Sequence, residues 1–174
     1  IGIYLAKGDF MPIPLNKNNI LQNNVSPVFF LDLDGTLKTE FDKNIGSMTI
    51  TEPIRHVFEP RPFAKEFLTA ISSLGKIYLC TASPRAFATS CLKQMGIDDY
   101  FDGVFARESY ANGIPFFSKI IFIENNRDLG EKKINCIKNN ENADILLIVI
   151  ETYNGNKEDK ELISVLNSIK DILS

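Results

Sequence analysis

Two aspartates, Asp32 and Asp34, close the apolar run Val28-Phe29-Phe30-Leu31, and Gly35 and Thr36 follow them. In an extended strand, residues i and i+2 point to the same face. Two carboxylates so placed repel each other, and burying them beside apolar neighbours is costly. A hard divalent cation removes the conflict, because Mg²⁺ takes oxygen ligands from carboxylates and carbonyls. Gly35 lets the chain turn sharply where the strand ends, and the Thr36 hydroxyl can bond back to the loop. Two further polar clusters close apolar runs: Thr81-Ala82-Ser83 after the run beginning at Lys76, and Glu124-Asn125-Asn126 after the run beginning at Ile120. Thr81 offers a hydroxyl to an anionic phosphate close to where a helix should start.

For these clusters to meet, the elements before them must be neighbouring parallel strands. Short apolar runs at 28–33, 76–81, 101–106, 120–124 and 144–150 read as strands buried on both faces. Helical stripes fall between and after them: Phe63, Phe67, Ala70, Ile71 and Leu74; Ala88, Cys91, Leu92 and Met95; a weaker stripe at 127–138; and Leu162, Val165, Leu166, Ile169, Ile172 and Leu173. Pro62 and Gly75 suit the start and stop of the first of these helices, and Ser83 and Pro84 the start of the second. Strands alternating with helices imply a Rossmann-like α/β domain with a central parallel sheet of about five strands and flanking helices. Ligands bind such sheets beyond the carboxyl ends of the strands. The segment 37–59 holds a turn signal at Asn44 and Gly46 and a β-prone Met48-Thr49-Ile50-Thr51, so it reads as a β-hairpin flap with no room for a large cap domain. Residues 1–26 read as an irregular arm with a short strand near its beginning, and residues 27–174 as the domain.

The 174 residues are 44% hydrophobic with a net charge of −3, which suits one globular domain. The acidic balance and scattered basic residues argue against a nucleic-acid partner. No apolar run reaches membrane-spanning length, so no membrane partner is expected. Cys80, Cys91 and Cys136 are odd in number and match no metal-binding spacing, which points to reduced thiols, a reducing compartment and a cytoplasmic location. A monomer is expected.

The sequence Asp32-Leu33-Asp34-Gly35-Thr36 after an apolar strand resembles the first signature of the haloacid dehalogenase (HAD) superfamily. The segments from Arg61 to Leu68, Cys80 to Ser83, Phe105 to Ser109 and Lys119 to Asn125 are similar to the subfamily of small C-terminal-domain phosphatases and NLI-interacting-factor-like proteins. That resemblance implies a magnesium-dependent phosphatase. Asp32 is then the nucleophile that becomes phosphorylated, and Asp34 the general acid and base. Thr81 and Ala82 contact the phosphate, and Mg²⁺ is bound by Asp32, the Asp34 carbonyl and Asn125, with Glu124 as a direct or water-mediated partner. The family's catalytic lysine precedes the strand that ends at Glu124. Residues 109–118 contain no Lys, so Lys119 is the candidate for the catalytic and phosphate-binding role, and an ordinary strand-leading Lys is the alternative. The implied substrate is a phosphorylated protein. The rival readings are a non-catalytic protein-binding module lacking its lysine and a phosphatase of a small metabolite or nucleotide.

Overall fold

The computed structural model of the chain describes residues 1–6, 11–12, 24–40 and 58–174. The described residues form one sheet of seven strands: β1 (Gly2–Leu5), β2 (Met11–Pro12), β3 (Val28–Leu31), β4 (Ile77–Cys80), β5 (Gly103–Phe105), β6 (Lys119–Glu124) and β7 (Asp144–Val149). Their spatial order is β2-β1-β7-β6-β3-β4-β5. The five strands from β7 to β5 are parallel, as expected from the sequence. The helices are α1 (Ala64–Ser72), α2 (Arg85–Gln94), α3 (Arg127–Asn135) and α4 (Glu161–Leu173).

Both faces of the sheet are covered, which is why its strands read as unbroken apolar runs. Phe29, Leu31, Ile77, Leu79, Ile121 and Ile148 share one core with the apolar stripes of α1, α2 and α4. Phe30, Cys80, Phe122 and Leu147 share the other with Ile134 of α3 and with Ile114 and Ile137. Phe30 is the hub of that second core, its ring within 5.9 Å, centroid to centroid, of Tyr78 and closer to Phe105, Phe117 and Phe122. Each large side chain buried in this way contributes about 1.5–3 kcal/mol.

The first parallel strand, β3, lies in the middle. The chain continues outward to β4 and β5 on one side, then returns to β6 and β7 on the other. That reversal leaves a crevice between the carboxyl ends of β3 and β6, the place where open α/β sheets bind ligands. Asp32 follows β3, and Glu124 ends β6.

Three local readings differ from the structure or fall outside it. Phe63 lies not on the buried stripe of α1 but just before the helix, in a left-handed conformation (φ 66°) and 40% exposed. The buried stripe starts at Ala64, because Arg61 is fully enclosed and its N–H is tied to the Leu37 carbonyl, fixing where the helix begins. Ser83 does not cap α2; its hydroxyl turns to Asp34, and the Glu108 carboxylate takes the Arg85 N–H at 3.0 and 3.2 Å instead. The short strand expected near the start of the arm is present as β1, which pairs antiparallel with β7, from Gly2 opposite Val149 to Leu5 opposite Leu146. The expected hairpin flap falls mostly on residues 41–57, which lie outside the described residues.

Candidate active site

The loop after β3 is a tight coil closed by its own backbone. The Leu33 carbonyl accepts from the N–H groups of Thr36, Leu37 and Lys38, and Gly35 N–H donates to the Lys38 carbonyl at 2.7 Å. Gly35 has φ +82°, a conformation that L side chains avoid, and a Cβ there would come within 2.8 Å of Asn125 Cγ. Glycine therefore serves both the turn and the close approach of β6. Arg61 braces the loop from beneath. Its guanidinium holds both Asp159 oxygens, at 2.8 and 3.0 Å, and reaches the Gly35 and Thr36 carbonyls at 3.4 and 3.3 Å.

The two oxygens of Asp32 meet different surroundings. Oδ1 accepts from Lys133 Nζ at 2.8 Å. Oδ2 accepts from the Thr36 hydroxyl at 3.1 Å and faces the amide of Asn125. Asp34 sits beside it, half-buried, with one oxygen on Lys38 and the other 2.9 Å from Ser83 Oγ. Thr81 is buried at the end of β4; its hydroxyl accepts from Ser83 N–H at 3.1 Å, while Ala82 is exposed at the mouth.

Lys133 is the residue that sequence reasoning missed. It projects from α3, 3% exposed, and donates to Asp32 Oδ1, to Glu124 Oε2 at 2.6 Å and to the Cys80 carbonyl at 2.9 Å. Burial alone would lower the pKa of this ammonium; the carboxylates of Asp32 and Glu124 outweigh burial and raise it. Burial raises the Glu124 carboxyl well above the ordinary carboxylate range, the charge of Asp32 adds to that, and Lys133 opposes both. A signal was present in the sequence: Lys133 falls in line with Gly130, Ile134 and Ile137, the spacing of one buried helical face.

Lys119 is not brought to this cluster. It opens β6, paired in register with Asp144, while Glu124 closes the strand. Five residues of extended chain separate the two ends by about 16 Å. Lys119 is 5% exposed, and burial lowers its pKa against the opposing effect of Asp144. The structure thus places it at the amino end of the sheet, where a strand-leading lysine packs against its neighbour.

The donors gathered here are mainly oxygens, the ligand type that a hard divalent cation takes. One terminal atom of the Asn125 amide lies 2.8 Å from Asp32 Oδ2 and 3.1 Å from both the Asp34 carbonyl oxygen and Glu124 Oε1; the other lies 3.1 Å from Thr152 Oγ1. With nitrogen inward, the amide donates to three acceptors. With oxygen inward, the amide oxygen joins Asp32 Oδ2, the Asp34 carbonyl oxygen and Glu124 Oε1, with the Thr36 hydroxyl as the nearby donor at 3.3 Å, an oxygen-rich set of the kind that a hard cation takes. Among the described residues, no three His, Cys, Asp or Glu side chains gather as a metal-binding group. A cation here would depend on the Asn125 amide and a backbone carbonyl as well as on carboxylate.

The profile of the family described as NLI interacting factor-like phosphatase matches residues 27–174. The chain belongs to that family. Membership makes it a phosphatase of the HAD type, and solved structures agree on the fold. The HAD domain of the effector protein Lem4 from Legionella pneumophila superimposes with a TM-score of 0.53 at 12% identity, over 87% of this chain and 100% of that one. A candidate beta-phosphoglucomutase from Thermotoga maritima gives 0.52 at 13% identity, over 84% and 99%. The fission yeast RNA polymerase II CTD phosphatase Fcp1, bound to beryllium fluoride, gives 0.50 at 16% identity; the match covers 84% of this NLI interacting factor-like chain and 50% of the yeast one. No curated protein matches in sequence. Among the described residues, no helix is long and apolar enough to cross a membrane.

Proposed function

We propose that the chain is a magnesium-dependent phosphomonoesterase that works through a phosphorylated Asp32, with phosphorylated side chains of proteins as its substrates. The observation that carries this reading is the asymmetric setting of Asp32. One oxygen is paired with a buried ammonium, and the other faces an oxygen-rich cluster that fits a hard cation.

Asp32 attacks phosphorus, and a bond from its carboxylate oxygen to phosphorus forms as the bond to the leaving oxygen breaks. Asp34, protonated at the start, gives its proton to that leaving oxygen, so the product departs as an alcohol. Water then attacks the phosphorylated Asp32 and passes a proton to Asp34. Inorganic phosphate leaves, and Asp32 is restored as a carboxylate. Lys133 offsets the negative charge that gathers on Asp32 and the phosphoryl group, and Thr81 and the backbone around Ala82 offer donors to the phosphoryl oxygens. Asp32, the Asp34 carbonyl and Asn125 would hold Mg²⁺, with Glu124 beside them. The bound ion would draw charge from the phosphoryl oxygens.

Lys133 removes the reason for reading the chain as a binding module deprived of its lysine. The exposed mouth formed by Ala82 and Asn126 favours a phosphate borne on a macromolecule over an enclosed metabolite. The monomeric state and the exclusion of nucleic acid and membrane as partners belong to the same proposal. The test is phosphate release from an aryl phosphate with and without Mg²⁺, comparing the native chain with Asp32→Asn. Magnesium-dependent release that Asp32→Asn abolishes supports the mechanism. Release that survives the substitution rejects Asp32 as nucleophile, and a preference for free nucleotides over phosphopeptides rejects the substrate class.

A further inference from the structure

Lys38 is fully buried, although it follows the Asp32–Asp34 pair by only one turn of chain. Among the described residues, its ammonium donates to Asp34 Oδ1 and to the Thr39 carbonyl, the latter at 2.9 Å. Two aromatic rings also face it: Nζ lies 4.4 Å from the ring centre of Phe58 and 5.6 Å from that of Phe87, and the two rings pack edge to face. A lysine enclosed in this way cannot meet a substrate, and the aromatic faces favour its charge. Whatever it contributes to chemistry passes through Asp34.

We propose that Lys38 is a positioning residue that holds Asp34 Oδ1 and thereby leaves Oδ2, the oxygen shared with Ser83, to transfer the proton. This inference rests on the phosphatase reading above. An ammonium only donates hydrogen bonds, so the oxygen it holds remains an acceptor throughout the cycle. A hydroxyl both donates and accepts, so Ser83 at 2.9 Å can bond Oδ2 whether or not that oxygen carries a proton. The two partners thus distinguish the carboxylate oxygens and fix the rotation of Asp34 about its side chain. Oδ2 is turned to the loop from Thr81 to Ser83, where the phosphoryl group would sit.

The test compares esters that differ in their need for a proton. Dinitrophenolate leaves unaided, whereas the alkoxide of phenethyl phosphate must be protonated as it departs. Wild type, Lys38→Met and Lys38→Gln are assayed on both esters with Mg²⁺, with thermal unfolding recorded for each. Lys38→Met is expected to lose about 100-fold in kcat on the alkyl ester and about threefold on the dinitrophenyl ester, with KM little changed. If Lys38→Met does not fold, Lys38→Gln, which keeps a donor but no charge, is expected to show the same split at a smaller size. Equal losses on both esters would reduce Lys38 to a structural ion pair, and full activity on both would remove it from the mechanism; either result overturns the proposal. A folded wild type that hydrolyses neither ester rejects the phosphatase reading itself.

Discussion

Replacing Lys133 by Met should damage both stability and turnover, and the two losses can be separated. The ammonium lies 2.8 Å from one carboxylate and 2.6 Å from another, with all three groups at most 5% exposed. At an effective dielectric constant near 20, each contact is worth about 6 kcal/mol in gross Coulomb energy. Most of that is offset by the loss of hydration, and removing one partner of a buried pair typically costs about 3–5 kcal/mol. Lys133 serves two carboxylates, but in its absence Glu124, already raised by burial, can take up a proton and relieve part of the strain. We therefore expect a loss of about 3 kcal/mol, read as a lower urea midpoint at unchanged slope. Adding Glu124→Gln removes the unpaired charge and should recover about half of it. Turnover should not recover, because no ammonium then offsets charge on Asp32 and the phosphoryl group; kcat is expected to stay about 100- to 1,000-fold down in both the single and the double variant. A Lys133→Met protein as stable as wild type, or a double variant that regains activity along with stability, would refute the assignment.

Three other outcomes follow from the geometry. Gly35→Ala meets an unfavourable φ and the Asn125 side chain together, so it should cost about 1–3 kcal/mol in thermal unfolding and weaken Mg²⁺ dependence by shifting Asn125. Asp159→Asn leaves the enclosed Arg61 without its paired carboxylate, and a loss of about 3 kcal/mol in chemical denaturation is expected, with lower turnover as the loop it braces loosens. Burial pushes the Cys80 and Cys91 thiols up from 9.0 to about 12. The unfolded chain then releases those protons before the folded one does. Stability should be level below pH 9 and fall above it by about 1.4 kcal/mol per pH unit per thiol, a decline that a Cys91→Ala variant should show less steeply in urea melts.

The elements legible in the sequence are those fixed by strong local signals. β3, β4, β6 and β7 are buried on both faces and read as apolar runs, and the polar residues closing β3, β4 and β6 mark the crevice where Asp32, Asp34, Thr81, Glu124 and Asn125 meet. Lys133 was hidden because its position is helical and tertiary. Its neighbours in sequence are polar, and only the spacing to Gly130 and Ile134 betrays an inward face. Lys119 attracted the catalytic assignment because it leads the apolar run that ends at Glu124, but as the first residue of β6 it lies at the opposite end of the sheet from Glu124. Ser83 looked like a helix cap for a sound local reason, and the nearby Asp34 carboxylate, far away in sequence, outcompeted the helix for its hydroxyl. Phe63 followed the helical period and was displaced by the anchoring of Arg61.

The pairing of β1 with β7 joins nearly the first residues of the chain to a strand that emerges just before its last helix. Contacts so distant in sequence carry a high contact order, and such contacts form slowly. During synthesis, β1 must wait until β7 has been made before its partner exists. Until then the sheet can grow only outward from β3 to β4 and β5, and the half that carries Glu124, Asn125 and Lys133 is still to come. Asp34 meets its counter-charge, Lys38, within the same loop, whereas Asp32 is made early and receives Lys133 late, so the nascent chain passes through a stage in which Asp32 lacks that partner and must remain in contact with water. Docking of β1 comes after that stage and covers the flank of β7, an edge that would otherwise be open to strands of other chains.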